Sequence, residues 1–170
     1  MTNDSSANDQ AITISLKRFM LLASCPPDWR PLDLYLFRDE QVVFYVGQSY
    51  VAFERVWEHL RNGYKGRSMI GRFILCNWPA SLKFVIELMI SQSARFASVG
   101  HDMDAAERLL IQNLSPCFNE TLNSRPTPLP SHYALPNTKP ICSPSLNKLI
   151  RQAERAVHAD EKRLWLGDDK

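Results

Sequence analysis

Paired cysteines, an apolar run long enough to cross a membrane, and a large excess of either charge are all missing from this 170-residue sequence. The cysteines, Cys25, Cys76, Cys117 and Cys142, form no CxxC and no paired spacing. That argues against a zinc ribbon and a disulfide framework, and the expected setting is reduced and intracellular, the cytoplasm. The start, MTNDSSANDQAI, is polar and acidic, without the basic residues and apolar segment of a signal peptide. No stretch has the length of a transmembrane helix, so a membrane is not an expected partner. The formal net charge is only +2, so any nucleic-acid surface must be local. Glycine is scarce, and the single glycine after Tyr45 falls far short of a phosphate-cradling Gly-rich loop. Cys/His metal clusters and Ser–His–Asp arrangements have no good candidates.

What is present suits one ordinary globular domain with room for tails, at 45% hydrophobic residues. Residues 1–11 are polar and aperiodic, the pattern of a disordered tail. An N-terminal arm follows over 12–31, in which ITISLKRFMLLA (12–23) reads as a short helix stopped by Pro26 and Pro27. LDLYLFR and VVFYVG read as two strands joined near Asp39 and Glu40, a β-hairpin. The connector has no glycine, which disfavours a two-residue turn. A three-residue loop, Asp39-Glu40-Gln41, sets Tyr35 opposite Tyr45 with both rings on one face. A two-residue loop would pair Tyr35 with Phe44 and split the tyrosines between faces.

A helix is expected next, capped by Ser49 and ended before Gly63, with Ala52, Phe53, Val56, Trp57 and Leu60 as its buried stripe. SMIGRFILCN reads as a second short helix broken at Trp78-Pro79, LKFVIELM as a third strand, and 103–114 as a helix ended by Ser115-Pro116. The fold class is therefore α/β (α+β): a small three-stranded antiparallel sheet flanked by helices, with its core over 32–123. Residues 124–145 are rich in proline and serine and form a linker or a surface strap. An amphipathic helix and tail occupy 146–170, with Leu146, Leu149, Ile150, Ala153 and Val157 at helical spacing. That helix packs on the core or serves as a homodimer interface. There is no internal repeat.

Among residues that carry chemistry, Glu107 shares a helical stripe with Leu110, Ile111 and Leu114. A carboxylate there is costly unless something pairs with it. An arginine partner, or a place at the stripe's edge, is the plain explanation; a divalent-metal ligand is the sharper one. Arg55 and His59 are successive on one helix face. They form a solvated edge, or else a guanidinium fork for phosphate beside a group that moves protons near neutral pH. Arg61, Lys65, Arg67 and Arg72 continue the charge: residues 55–72 set five basic side chains against one acid, Glu58. That is a solvated face, or a surface for a phosphate backbone. Tyr35 and Tyr45 alone are ordinary strand aromatics.

Taken in order, Tyr35 in DLYLF, then FYVGQS, FERVWEHL and ERLLIQNLSPCFN resemble the GIY-YIG nuclease family over roughly residues 32–123. The resemblance implies catalytic roles for Tyr35, Tyr45 with Gly47, Arg55, His59, Glu107 and Asn119 (after Pro116), with Glu107 as the metal ligand. It implies Mg²⁺ or Mn²⁺ as cofactor, DNA as partner and phosphodiester hydrolysis as the activity. Arg61, Lys65, Arg67 and Arg72 are then DNA contacts. The first motif departs from the family pattern, with Asp33 where glycine is usual. Glycine at 47 is expected to serve a tight strand-to-helix turn. Two other readings stand beside this one: a DNA-binding module that is non-catalytic or partner-dependent, and a core stabilised by Arg55–Glu107 pairing without a nucleic-acid role.

Overall fold

Alternation of apolar residues along the hairpin divides the molecule into two layers around one sheet. A computed structural model describes residues 11–65, 67–136 and 145–167. The expected tail at 1–11, but for Ala11, and part of the expected strap, 137–144, lie outside them. The elements are β1 (Ile12–Ser15), α1 (Leu16–Phe19), β2 (Leu34–Arg38), β3 (Val43–Gln48), α2 (Ala52–Tyr64), α3 (Met69–Cys76), β4 (Val85–Met89), α4 (Met103–Leu114) and α5 (Leu146–Leu166), with short 3₁₀ turns between some of them.

The described strands form one antiparallel sheet in the order β1-β4-β2-β3, four strands where the sequence suggested three. The added strand comes from the segment read as helix 12–23. Its Ile-Thr-Ile start alternates, Ile12 and Ile14 turning toward the core and Thr13 outward, and pairs with β4 from Ile12↔Leu88 to Ser15↔Val85. Only then does Ser15 cap the single helical turn of α1, accepting from Arg18 N–H at 3.4 Å. β-branched residues satisfy a distant strand there more readily than a local helix.

On one face of the sheet, Tyr35 and Phe37 meet α2 and α3 in the larger core, with Phe44, Phe53, Val56, Trp57 and Phe73. On the other, Leu34, Leu36 and Val46 meet Phe96, Ala106, Leu110 and Ile111, which seats α4. α2 buries the expected stripe, but its bounds differ. Val51 stands at the N-cap, Ser49 N–H instead bonds the Asp33 carbonyl at 2.9 Å, and Gly63 lies inside the helix. A Cβ on Gly71 would sit 2.1 Å from the His59 carbonyl oxygen and 2.6 Å from Gly63 Cα, so α2 and α3 cross with backbones almost touching.

The described part of the proline-rich segment is a strap. Tyr133 inserts against Phe44, Phe73 and Phe84 and donates to Asp39 at 2.7 Å, while Asn77 holds the Ala134 backbone at both its N–H and its carbonyl. α5 returns to the core with Leu149, Ala153 and Val157 buried, tied to α1 by the Lys17–Asp160 ion pair.

Candidate active site

β3 is an edge strand, and the side chains singled out by the motifs gather around it. The hairpin loop has four residues, 39–42, and the register shifts between Phe37 and Arg38. Tyr35 therefore pairs with Gly47, and Tyr45 with Phe37, rather than the tyrosines with each other. Parity is kept, so both phenol rings share one face as expected, with centroids 6.3 Å apart.

Gly47 makes no left-handed turn. The Tyr35 ring lies directly over it, and a Cβ there would fall 2.3 Å from both Tyr35 Cζ and Oη. The glycine is a berth for a phenol. Asp33 also acquires a purpose: its carboxylate accepts from Ser91 N–H at 2.8 Å and from the Ser91 hydroxyl at 2.6 Å, tying the start of β2 to the chain leaving β4.

Tyr35 is almost wholly buried, its hydroxyl 2.7 Å from His59 Nε2, and Nδ1 of the same imidazole is 2.8 Å from Ser68 Oγ. Burial holds the Tyr35 proton firmly, pushing its pKa well above the usual phenol range; Tyr45 adds to this, the Arg55 guanidinium opposes it, and Glu107 contributes less. Tyr45, half-buried, is raised by burial first and by the Glu107 carboxylate second. His59 is depressed to about 4, by burial and then by Arg55, so it is neutral at pH 7.

Tyr45, Arg55 and His59 line an open cleft of about 210 Å³ with Asn62, Arg67 and Ser68. Arg55 is half-exposed there, its Nη1 2.6 Å from Glu58 Oε2. Of the four basic residues expected to contact DNA, Arg67 lines this cleft. Arg61 instead lies over the Trp57 ring, 5.5 Å from its centroid, facing a separate groove with Cys25 and Arg30. Lys65 caps the end of α2, and Arg72 lies on α3 near Cys76; neither lines the cleft.

Glu107 projects from α4, on the far side of β3. It does not line the cleft, yet its field reaches both phenols. Among the described residues it makes no ion pair, which removes the expected arginine partner and the Arg55–Glu107 alternative with it. Its own pKa is raised by burial and by Asp104, one turn earlier, and a hydrogen bond from Gln48 counters this.

Asn119 is bonded to β3 through both atoms of its amide. Val46 N–H donates to its Oδ1 and its Nδ2 donates to the Val46 carbonyl, both at 2.9 Å. With Cys117 and Phe118 N–H bonding the Val43 and Phe44 carbonyls, residues 117–119 cover the open edge of β3. Asn119 holds the strand bearing Tyr45 and does not itself line the cleft.

No group of three or more His, Cys, Asp or Glu among the described residues closes on a metal. The donors near Glu107 nevertheless suit a hard cation. They are all oxygen: Glu107, Asp104, and Gln48 Oε1, a buried atom without a hydrogen-bond partner, whose Nε2 donates to Asp104 at 2.6 Å. Gln48, Asp104 and Ser68 were not singled out from sequence, and Glu58 stood out only as the one acid in 55–72. Gln48 directly follows the FYVG stretch, and Ser68 is the N-cap preceding MIGRF; these adjacencies were the available signal.

Comparison with protein-family models, curated proteins and solved structures finds no match.

Proposed function

We propose that the protein is a metal-dependent endonuclease of GIY-YIG type that hydrolyses DNA phosphodiester bonds. The observation that carries this reading is the grouping of Tyr45, Arg55 and His59 around one cleft, with Tyr35 bonded behind them and the Glu107 field acting on both phenols. Six motif residues from β2, β3, α2, α4 and the segment after α4 are thereby drawn to one edge of the sheet.

Arg55 holds a nonbridging phosphate oxygen, its fork exchanging Glu58 for the substrate. Tyr45, the more accessible phenol, serves as base after its own proton has passed to solvent: the phenolate takes the proton of the attacking water, with Tyr35 and His59 supporting its charge. Glu107, assisted by Asp104 and Gln48, would hold Mg²⁺ or Mn²⁺, and when bound the cation stabilises charge on the phosphate and the departing oxygen. Arg67 adds a backbone contact at the cleft mouth. Asn119 keeps β3 in place.

The second reading, a DNA-binding module without cleavage or one activated by a partner, is favoured by one feature. Both phenols are held protonated and Arg55 is engaged by Glu58 in the free protein. Incubation with supercoiled plasmid separates the two. Nicking that requires Mg²⁺ or Mn²⁺ supports the nuclease, whereas salt-sensitive gel retardation without nicking supports the binding module.

A further inference from the structure

We propose that Ser68 is a positioning residue that fixes the imidazole tautomer of His59 and so directs a hydrogen-bond chain toward the Tyr45 hydroxyl at the cleft. The catalytic consequence rests on the nuclease reading above; the tautomer does not.

Ser68 is buried, and its oxygen already accepts the Gly71 N–H at 3.0 Å, the capping bond of α3. A serine hydroxyl also has one hydrogen to give. Among the described residues, the acceptor offered to that hydrogen is His59 Nδ1, at 2.8 Å. Were Nδ1 protonated, two N–H groups would converge on the Ser68 oxygen and its hydroxyl hydrogen would be left without an acceptor among the described residues, a costly arrangement at a largely buried group. Nδ1 is therefore bare. A neutral His59 then carries its hydrogen on Nε2 and donates it to Tyr35 Oη at 2.7 Å.

Tyr35 must in turn pass on its own hydrogen, since its oxygen accepts from His59 and faces the Arg55 guanidinium as well. That hydrogen can turn to Tyr45, whose ring centroid lies 6.3 Å away on the same face, and the Tyr35 hydroxyl opposes the burial that raises the Tyr45 pKa. Donation thus runs from Gly71 to Ser68, from Ser68 to His59 and from His59 to Tyr35, leaving the Tyr35 hydrogen for Tyr45. Hydrogen bonds donated to the ionised form of a group favour that form, so this direction assists charge on Tyr45, and the reverse direction would oppose it. The near-contact of Gly71 with the His59 carbonyl brings α3 close enough for Ser68 to act.

Two-bond ¹H–¹⁵N correlation spectra of the histidine rings in the full chain at pH 7 test the assignment. The expected wild-type pattern for His59 is hydrogen on Nε2 and a bare Nδ1; hydrogen on Nδ1 would overturn the proposal. Ser68→Asp keeps a cap for Gly71 N–H but has no hydrogen to give, and is expected to move the His59 hydrogen to Nδ1. Retention of the wild-type tautomer in both Ser68→Asp and Ser68→Ala would also overturn it. In Mg²⁺-dependent plasmid nicking, Ser68→Ala is expected to lower turnover about tenfold with DNA affinity unchanged, and Ser68→Thr to restore it. Wild-type turnover in a Ser68→Ala protein of altered tautomer would overturn the catalytic part. A wild-type chain that cuts no DNA while showing the expected tautomer would remove the nuclease reading and leave the Ser68 assignment standing.

Discussion

At the residue scale, Gly47 and His59 show most directly how packing sets chemistry. A methyl group at position 47 must displace the Tyr35 ring, because its carbon would overlap both the ring and the hydroxyl at 2.3 Å. Gly47→Ala is expected to lose about 1–3 kcal/mol in urea unfolding and to break the Tyr35–His59 bond along with the cleft geometry. His59 links the site to pH. Its folded pKa of about 4 lies below the ordinary histidine value of 6.5, so between these limits the unfolded chain binds a proton that the native imidazole does not. The stability this contributes is complete above the upper limit and is lost as pH falls toward the lower one, by roughly 3 kcal/mol. Comparing urea midpoints of wild type and His59→Gln across this window isolates the effect: the variant should lack that part of the acid-side decline.

At the scale of elements, the edge strand β3 carries Tyr45, Gly47 and Gln48, and residues 117–119 replace the neighbour strand it lacks. Truncating Asn119 leaves the Val46 N–H and carbonyl without their partners inside the protein. Asn119→Ala should therefore cost about 2–4 kcal/mol in chemical denaturation and loosen β3, seen as faster amide exchange at Val46. α5 spends its apolar stripe on the core through Leu149, Ala153 and Val157, while Leu164, Trp165 and Leu166 at its end are exposed. Ala153→Asp, placing a charge where no surface is exposed, should lower the thermal midpoint by several degrees, read by calorimetry.

The same scale shows what the sequence made legible. Helical spacing marked the buried stripes of α2 and α4, because that pattern is local; the shared face of Tyr35 and Tyr45 was expected from a three-residue loop, whereas a four-residue loop with a register shift produces it. The strand Ile12–Ser15 was hidden because its partner, β4, lies some seventy residues away. Gly47 was visible as a glycine, but its purpose was not: a ring lying across a neighbouring strand leaves no mark in the order of residues. Ser68 and Gln48 escaped for a similar reason. Their partners, His59 and Asp104, become neighbours only once α3 and α4 have packed.

For the molecule as a whole, one sheet brings two helical layers to its β3 edge. The α2 side supplies Arg55 and His59, the hairpin supplies both phenols, and α4 supplies Glu107 from the opposite face. No described helix is long and apolar enough to cross a membrane. The nuclease reading asks these layers to act on one phosphate, and Arg55→Ala should slow cleavage by at least about 10²-fold if its guanidinium stabilises the charge that develops there. The most direct measurement compares the initial rates at which purified wild-type protein and Glu107→Gln nick supercoiled plasmid in Mg²⁺, with a sample in EDTA alongside. The account predicts nicking by the wild type that EDTA stops and Glu107→Gln lacks. Equal cutting by the two proteins, or no cutting by the wild type in either Mg²⁺ or Mn²⁺, would contradict it.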